Sequence, residues 1–161
     1  MESKEKTSLT TSLILLLSIT CGVVVANMYY IQPIGTKVAA SLSVSTSAVG
    51  ILTMLTQLGY ALGLLFLVPL GDVVDRPKLI IRMAALSAIS LLAAFFAPSF
   101  TLFACASFLI GLLSIVPQII IPYGAVLAGP KARGKVMGTL LSGLLVGILL
   151  SRTVSGIVAS L

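Results

Sequence analysis

Of 161 residues, 58% are apolar and only 9% charged, against about 25% charged in soluble domains, so this chain has too few polar groups to cover itself in water. Its formal charge of +6 is divided among short loops, with no basic face, aromatic interleaving or binding module. That excludes nucleic acid and makes anionic lipid headgroups the natural partner of the charge. His is absent, and no nucleophile–base pair, metal cluster or phosphate loop is present; the chain is not read as an enzyme and calls for no cofactor or metal.

The N-terminal MESKEK runs into an apolar stretch that is too long for a signal peptide and lacks a small-residue cleavage site before Asn27, so it reads as a retained first helix. A bilayer crossing needs about 20 mostly apolar residues. Five such spans follow in order, at about 9–31, 45–70, 79–97, 100–128 and 136–160. Pro33, Pro69, Pro77, Pro98 and Pro130 fall at or near the breaks, as residues that cannot continue a helix should. The fourth span is overlong and holds Pro117 and Pro122, which predict a tilted, kinked helix. Cys21 and Cys105 each lie inside an apolar helix and read as packing residues.

Charge orients these spans. Lys and Arg collect on the cytoplasmic side because positive loops resist translocation. Lys4, Lys6, Arg76, Lys78, Arg82, Lys131, Arg133 and Lys135 all fall on one side, Lys37 alone on the other, and Arg152 within the fifth span. The N-terminus is therefore expected in the cytoplasm of a multi-pass protein of the inner (plasma) membrane.

A repeat runs beneath the spans. Gly22, Pro33 and Gly35 recur as Gly111, Pro122 and Gly124 at an offset of 89, and Gly50 and Gly59 recur as Gly138 and Gly147 at an offset of 88. Spans one and two thus return as spans four and five, in opposite orientation. Inverted three-helix repeats build many secondary transporters. The chain is expected to form a single bundle, with a first repeat over 1–97 and an incomplete second over 98–161 that lacks its sixth helix.

Polar residues are costly in lipid and turn toward a bundle interior or a cavity. Helical phase places Thr20, Asn27 and Tyr30 on one face of span one, Thr53, Gln57 and Tyr60 on one face of span two, and Ser107, Ser114 and Gln118 on one face of span four. Span three offers only Ser87 and Ser90. Spans one, two, four and five would then line a polar interior and span three would be peripheral. Interhelical hydrogen bonding is the alternative, worth about 0.6–2 kcal/mol each. The cavity candidates are Asn27, Tyr30, Gln57, Tyr60, Gln118 and Arg152. Arg152 either binds an anionic solute group, controls a proton step, or snorkels to the outer interface. Gly59 with Gly63, and Gly143 with Gly147, sit in small-residue rows that allow close helix crossing.

Motifs narrow the class. Gly71-Asp-Val-Val-Asp75-Arg76 resembles the G-x-x-x-D-R signature of the major facilitator superfamily, with Pro77-Lys78 where the family continues with Gly and basic residues. Ala26-Asn-Met-Tyr-Tyr-Ile-Gln-Pro33 is similar to the A-N-x-Y-Y-x-Q-P stretch of its bacterial drug and metabolite exporters. Gly143-Leu-Leu-Val-Gly147 resembles the start of the antiporter signature, though Ile148 stands where that signature has Pro. The Arg of many proton-coupled relatives would fall near Ser107. The resemblance covers the N-terminal portion of such a transporter, five of twelve helices. It implies a major-facilitator-like half bundle, export of a small-molecule substrate by alternating access, protons as a candidate coupling ion, and Gly71, Asp75 and Arg76 as a cytoplasmic gate. The partners it implies are the bilayer and either a C-terminal half or another copy of the chain. The competing expectation is a stand-alone or truncated five-helix protein that oligomerises, or is inactive, and does not transport by itself.

Overall fold

The computed structural model describes residues 10–160, which are helical apart from short turns. Lys4 and Lys6, counted above toward the basic side, lie outside the described residues. Helix α1, Thr11–Ala26, starts at Thr10, whose Oγ1 accepts from the Leu13 N–H at 3.3 Å. The chain turns through 27–30 and resumes as α2, Ile31–Ser41, bent by 41° from α1. Pro33 explains the elbow: it has no N–H for the Tyr29 carbonyl and its ring crowds that carbonyl. Tyr29 O is taken instead by the Gln32 N–H at 3.4 Å. The first span is expected from the sequence to end before Pro33, but Pro33 instead sits in the first turn of α2, where a missing N–H costs nothing.

Helix α3, Thr46–Leu62, passes through one π-helical turn, Gly63–Leu67, into α4, Val68–Val73, making one 28-residue crossing. The wide turn lies just upstream of Pro69, whose ring would clash with the Leu65 carbonyl in regular α geometry, and the Val68 N–H reaches back to Gly63 O. Helix α5, Arg76–Phe95, is capped by Asp75 and α6, Phe100–Leu113, by Ser99. After a turn at Ser114 and Ile115, α7 runs Val116–Ser160.

As one straight rod, the 61 residues of Phe100–Ser160 would reach about 90 Å, three times the hydrocarbon thickness of about 30 Å. The rod is broken at Gly129, where φ is 69° and ψ 174°, a conformation that glycine adopts without strain. Pro130 then opens the last crossing, so the segment holds two crossings, 100–128 and 130–160. The basic residues around Arg76, at the start of α5, and around Lys131, just after the break at Gly129, lie at one end of the bundle, here called the basic end.

Two extensive contacts assemble these helices: α1 against the last part of α7, and α3 against α6. At the first, a Cβ on Gly22 would stand 2.6 Å from the Gly143 carbonyl oxygen, and one on Gly147 would strike the Gly22 backbone. At the second, a Cβ on Gly59 would strike the Phe108 carbonyl, one on Gly111 the Thr56 carbonyl, and one on Gly63 the backbone of Leu112. The repeat-matched glycines 22 and 111 therefore occupy matched crossings, and so do 147 and 59. Helix α5 packs on α6. Between the crossings lies a core of Cys21, Val24, Met83, Ile115, Ile119 and Leu140, while Leu15, Ile19, Phe66, Ile81, Ile89 and Leu149 are exposed to the surroundings of the bundle.

Adding side chains at a crossing should unseat it. Gly22→Val and Gly111→Val should each cost about 1–3 kcal/mol, the usual penalty for overpacking. Gly138, which meets nothing within 4 Å, should accept Ala with stability unchanged or raised by up to about 1 kcal/mol. Thermal unfolding of the detergent-solubilised variants, followed by circular dichroism, tests both.

Candidate functional site

A cavity of about 520 Å³ opens in the half of the bundle away from the basic end. Its wall draws on the elbow of span one, the end of α5, the start of α6 and the end of α7. Asn27 and Tyr30 belong to that wall, with Thr56, Ser107 and Ser155. A second cavity of about 320 Å³ lies along the α1–α7 crossing, where Gly22, Gly143 and Gly147 contribute no side chains; Tyr30 and Val154 line both cavities.

The elbow places the polar groups. Asn27 is half-buried at the end of α1, and its Nδ2 donates to Ser87 Oγ on α5 at 3.3 Å. Span three is thus not simply peripheral: Ser87 is 1% exposed, and Ser90 is buried as well. Gln118 Nε2 donates to Tyr60 Oη at 3.0 Å, joining two cavity candidates from α7 and α3 beside the core rather than on either cavity wall. Arg152 is exposed on α7 and lines neither cavity; its guanidinium lies 5.3 Å from the centre of the Tyr29 ring. Gln57 is exposed on α3 and also lines neither cavity. Of the six candidates, the structure brings together Asn27 with Tyr30, and Tyr60 with Gln118.

Tyr29 was not singled out by sequence reasoning, although it sits in the A-N-x-Y-Y stretch that drew attention to its neighbours. The cation–π attraction it offers Arg152 is worth about 0.5–2 kcal/mol, depending on desolvation. In that position it attracts an arginine that has no carboxylate partner among the described residues.

At the basic end, Arg76 bonds within its own loop. Its Nε donates to Gly71 O at 2.9 Å and Nη2 to Asp72 Oδ1 at 2.8 Å, and the guanidinium stands 5.9 Å from the Tyr123 ring. Asp75 plays a different part, since its Oδ1 accepts from the Lys78 N–H at 3.2 Å and caps α5. Asp72 is thus the acid that Arg76 holds, across the turn between α4 and α5, a pairing that their closeness in sequence could have signalled. Gly71 is buried against Ile119 and Leu79, and Tyr123 ties this loop to the following crossing.

Comparison with known proteins places this arrangement. The sequence profile of the Major Facilitator Superfamily matches residues 14–161. A protein named as an uncharacterized transporter, YgaY, of Escherichia coli O157:H7 is 46% identical over 159 residues, which is 99% of this chain and 40% of that one. A probable transporter of Streptomyces coelicolor, SCO4007, is 31% identical over 142 residues, 88% of this chain and 33% of its own. This chain therefore spans well under half the length of these curated relatives. No solved structure matches it at a significant level.

Two expectations concern the polar contacts. A double-mutant cycle of Gln118→Leu and Tyr60→Phe should give a coupling of about 0.6 kcal/mol, and at most about 1.7. Asp75→Ala should destabilise by about 1 kcal/mol through loss of the cap, more than Asp72→Asn, whose exposed pair contributes about 0–1 kcal/mol. Unfolding of the detergent-solubilised single and double variants reads out both.

Proposed function

The chain belongs to the Major Facilitator Superfamily, and on that premise we propose that it supplies the first five crossings of a secondary active transporter that exports a small organic solute, a drug or a metabolite, by alternating access. The observation that carries this reading is the position of Asn27 and Tyr30. Both come from the exporter-like stretch, and both stand on the wall of the 520 Å³ cavity. An amide and a phenol held in an otherwise apolar bundle mark a solute path. The names of the relatives as transporters agree with it.

In this proposal the basic end faces the cytoplasm, as the loop charges require, and the protein lies in the inner membrane with its N-terminus inside. The glycine crossings let neighbouring helices shift without prising side chains apart. Gly71, Asp75 and Arg76 form the cytoplasmic gate, with Asp72 and Tyr123 holding Arg76 in place. Arg152 is better suited to a coupling step than to solute binding, because its guanidinium lies on the Tyr29 ring and off the cavity wall. The exposed Gln57 would face the rest of the transporter, which supplies the opposite wall. Protons are the candidate counter-ion. The carboxylates among the described residues are Asp72 and Asp75, both at the basic end, so a proton step deep in the membrane would draw on the remainder of the protein.

The test uses the natural-length product in cells. Deleting its gene should raise the cellular level of at least one organic solute, and re-expression should restore export. Arg152→Ala should slow that export by about two- to thirtyfold, the range set by a cation–π contact, with solute affinity unchanged; Asn27→Ala should weaken affinity instead. A native product of only 16.7 kDa that moves no solute would overturn the proposal in favour of a stand-alone five-helix protein.

A further inference from the structure

The polar groups around the 520 Å³ cavity share one property: most of their donors are already engaged. Thr56 Oγ1 donates to Leu52 O at 2.9 Å, Ser107 Oγ to Phe103 O at 2.8 Å and Ser155 Oγ to Ser151 O at 2.6 Å, each to a carbonyl one turn back on its own helix. Asn27 directs one of its two Nδ2 hydrogens at Ser87. A hydroxyl has one hydrogen to give and two lone pairs to accept with, and an amide oxygen only accepts. What these four residues still present to the cavity is therefore mainly acceptor oxygen. Tyr30 adds a phenol that can do either. The remainder of the wall is aliphatic or aromatic but for Ser41, and it includes no Lys, Arg, Asp or Glu. The Ser41 hydroxyl is engaged in the same way, donating to Val38 O at 3.0 Å.

That wall selects by charge. An anion would leave water to face acceptor oxygens without a cation, and a cation would find no carboxylate; each would be buried unpaired, which is costly. A neutral hydroxyl or N–H on an apolar body meets neither penalty, and it supplies a hydrogen to a wall whose free polar groups are mainly acceptors. The volume falls within the range of about 300–1,000 Å³ common to small-molecule sites. We propose that this cavity binds an uncharged, largely apolar molecule bearing a hydroxyl or another neutral hydrogen-bond donor, which Thr56, Ser107, Ser155 and the amide oxygen of Asn27 accept. The proposal rests on the reading of this cavity as the solute site and specifies its ligand class.

Three probes with one ring system separate the possibilities: 1-naphthol, its methyl ether, and 1-naphthoate. Binding is measured on the natural-length protein in nanodiscs, with empty nanodiscs subtracted. Naphthol should bind saturably, the ether about tenfold more weakly, a ratio typical of a buried hydrogen bond, and naphthoate most weakly. Thr56→Val, which keeps the shape of the side chain, should weaken naphthol severalfold and leave the ether alone. Ala94→Phe, which fills the wall, should weaken both neutral probes. Equal binding of naphthol and ether, tighter binding of naphthoate, or indifference of naphthol to both substitutions would overturn the assignment. Flux in proteoliposomes separates the two readings. Donor-selective binding without flux sinks transport and keeps this site, whereas export of cellular solutes without donor-selective binding does the reverse.

Discussion

Two places where helix backbones touch hold this bundle together, Gly22 on Gly147 and Gly111 beside Gly59. In lipid the tails are as apolar as leucine, so helices gain little by hiding side chains from their surroundings; they associate through close packing and interhelical hydrogen bonds. Glycine at both partners of a crossing gives the closest approach available. Ser18 exploits it, donating across the first crossing to Thr139 O at 2.9 Å. Because the two crossings use repeat-matched residues, the bundle is built from one contact made twice, with the roles of the two copies exchanged.

That arrangement determines where polarity can sit. Side-chain hydroxyls mostly turn back to carbonyls of their own helix, and among the described residues no buried polar side-chain atom lacks a partner. Beyond Ser18 and the Arg76–Asp72 pair, the groups that reach another element are few and informative: Asn27 to Ser87, Gln118 to Tyr60, Arg152 over Tyr29, and Arg76 over Tyr123. Two of the four begin at or next to the elbow of span one, where Pro33 interrupts the helix. The break at Ser114 and Ile115, upstream of Pro117, is its counterpart in span four. Proline breaks and glycine crossings thus act together, one bending the helices around the interior and the other pressing them close outside it.

Much of the fold was legible in the chain. Apolar runs separated by Pro, Gly and basic residues mark the crossings, since hydropathy and length are properties of single segments. The glycines whose spacing suggested a repeat, Gly22, Gly59, Gly111 and Gly147, all stand at the two crossings. Boundaries were less legible: the first crossing continues to Ser41, because Pro33 is tolerated in the first turn of a new helix. The π-helical turn before Pro69 left no mark in the hydrophobic pattern. At the basic end, Asp75 and Arg76 share a motif but not a bond; Asp75 caps α5 and Arg76 holds Asp72.

The sequence by itself determined the class of protein and which residue types must avoid lipid, because these follow from transfer energies that each segment carries alone. Tertiary structure decided who meets whom. Helical phase placed Gln57 and Tyr60 on one face, yet Tyr60 bonds Gln118 while Gln57 is exposed. Ser87 of the supposedly peripheral third span became the partner of Asn27. The reason is geometric: a helix periodicity gives direction around one axis, and the neighbour found in that direction depends on how the glycine crossings set the helices against each other.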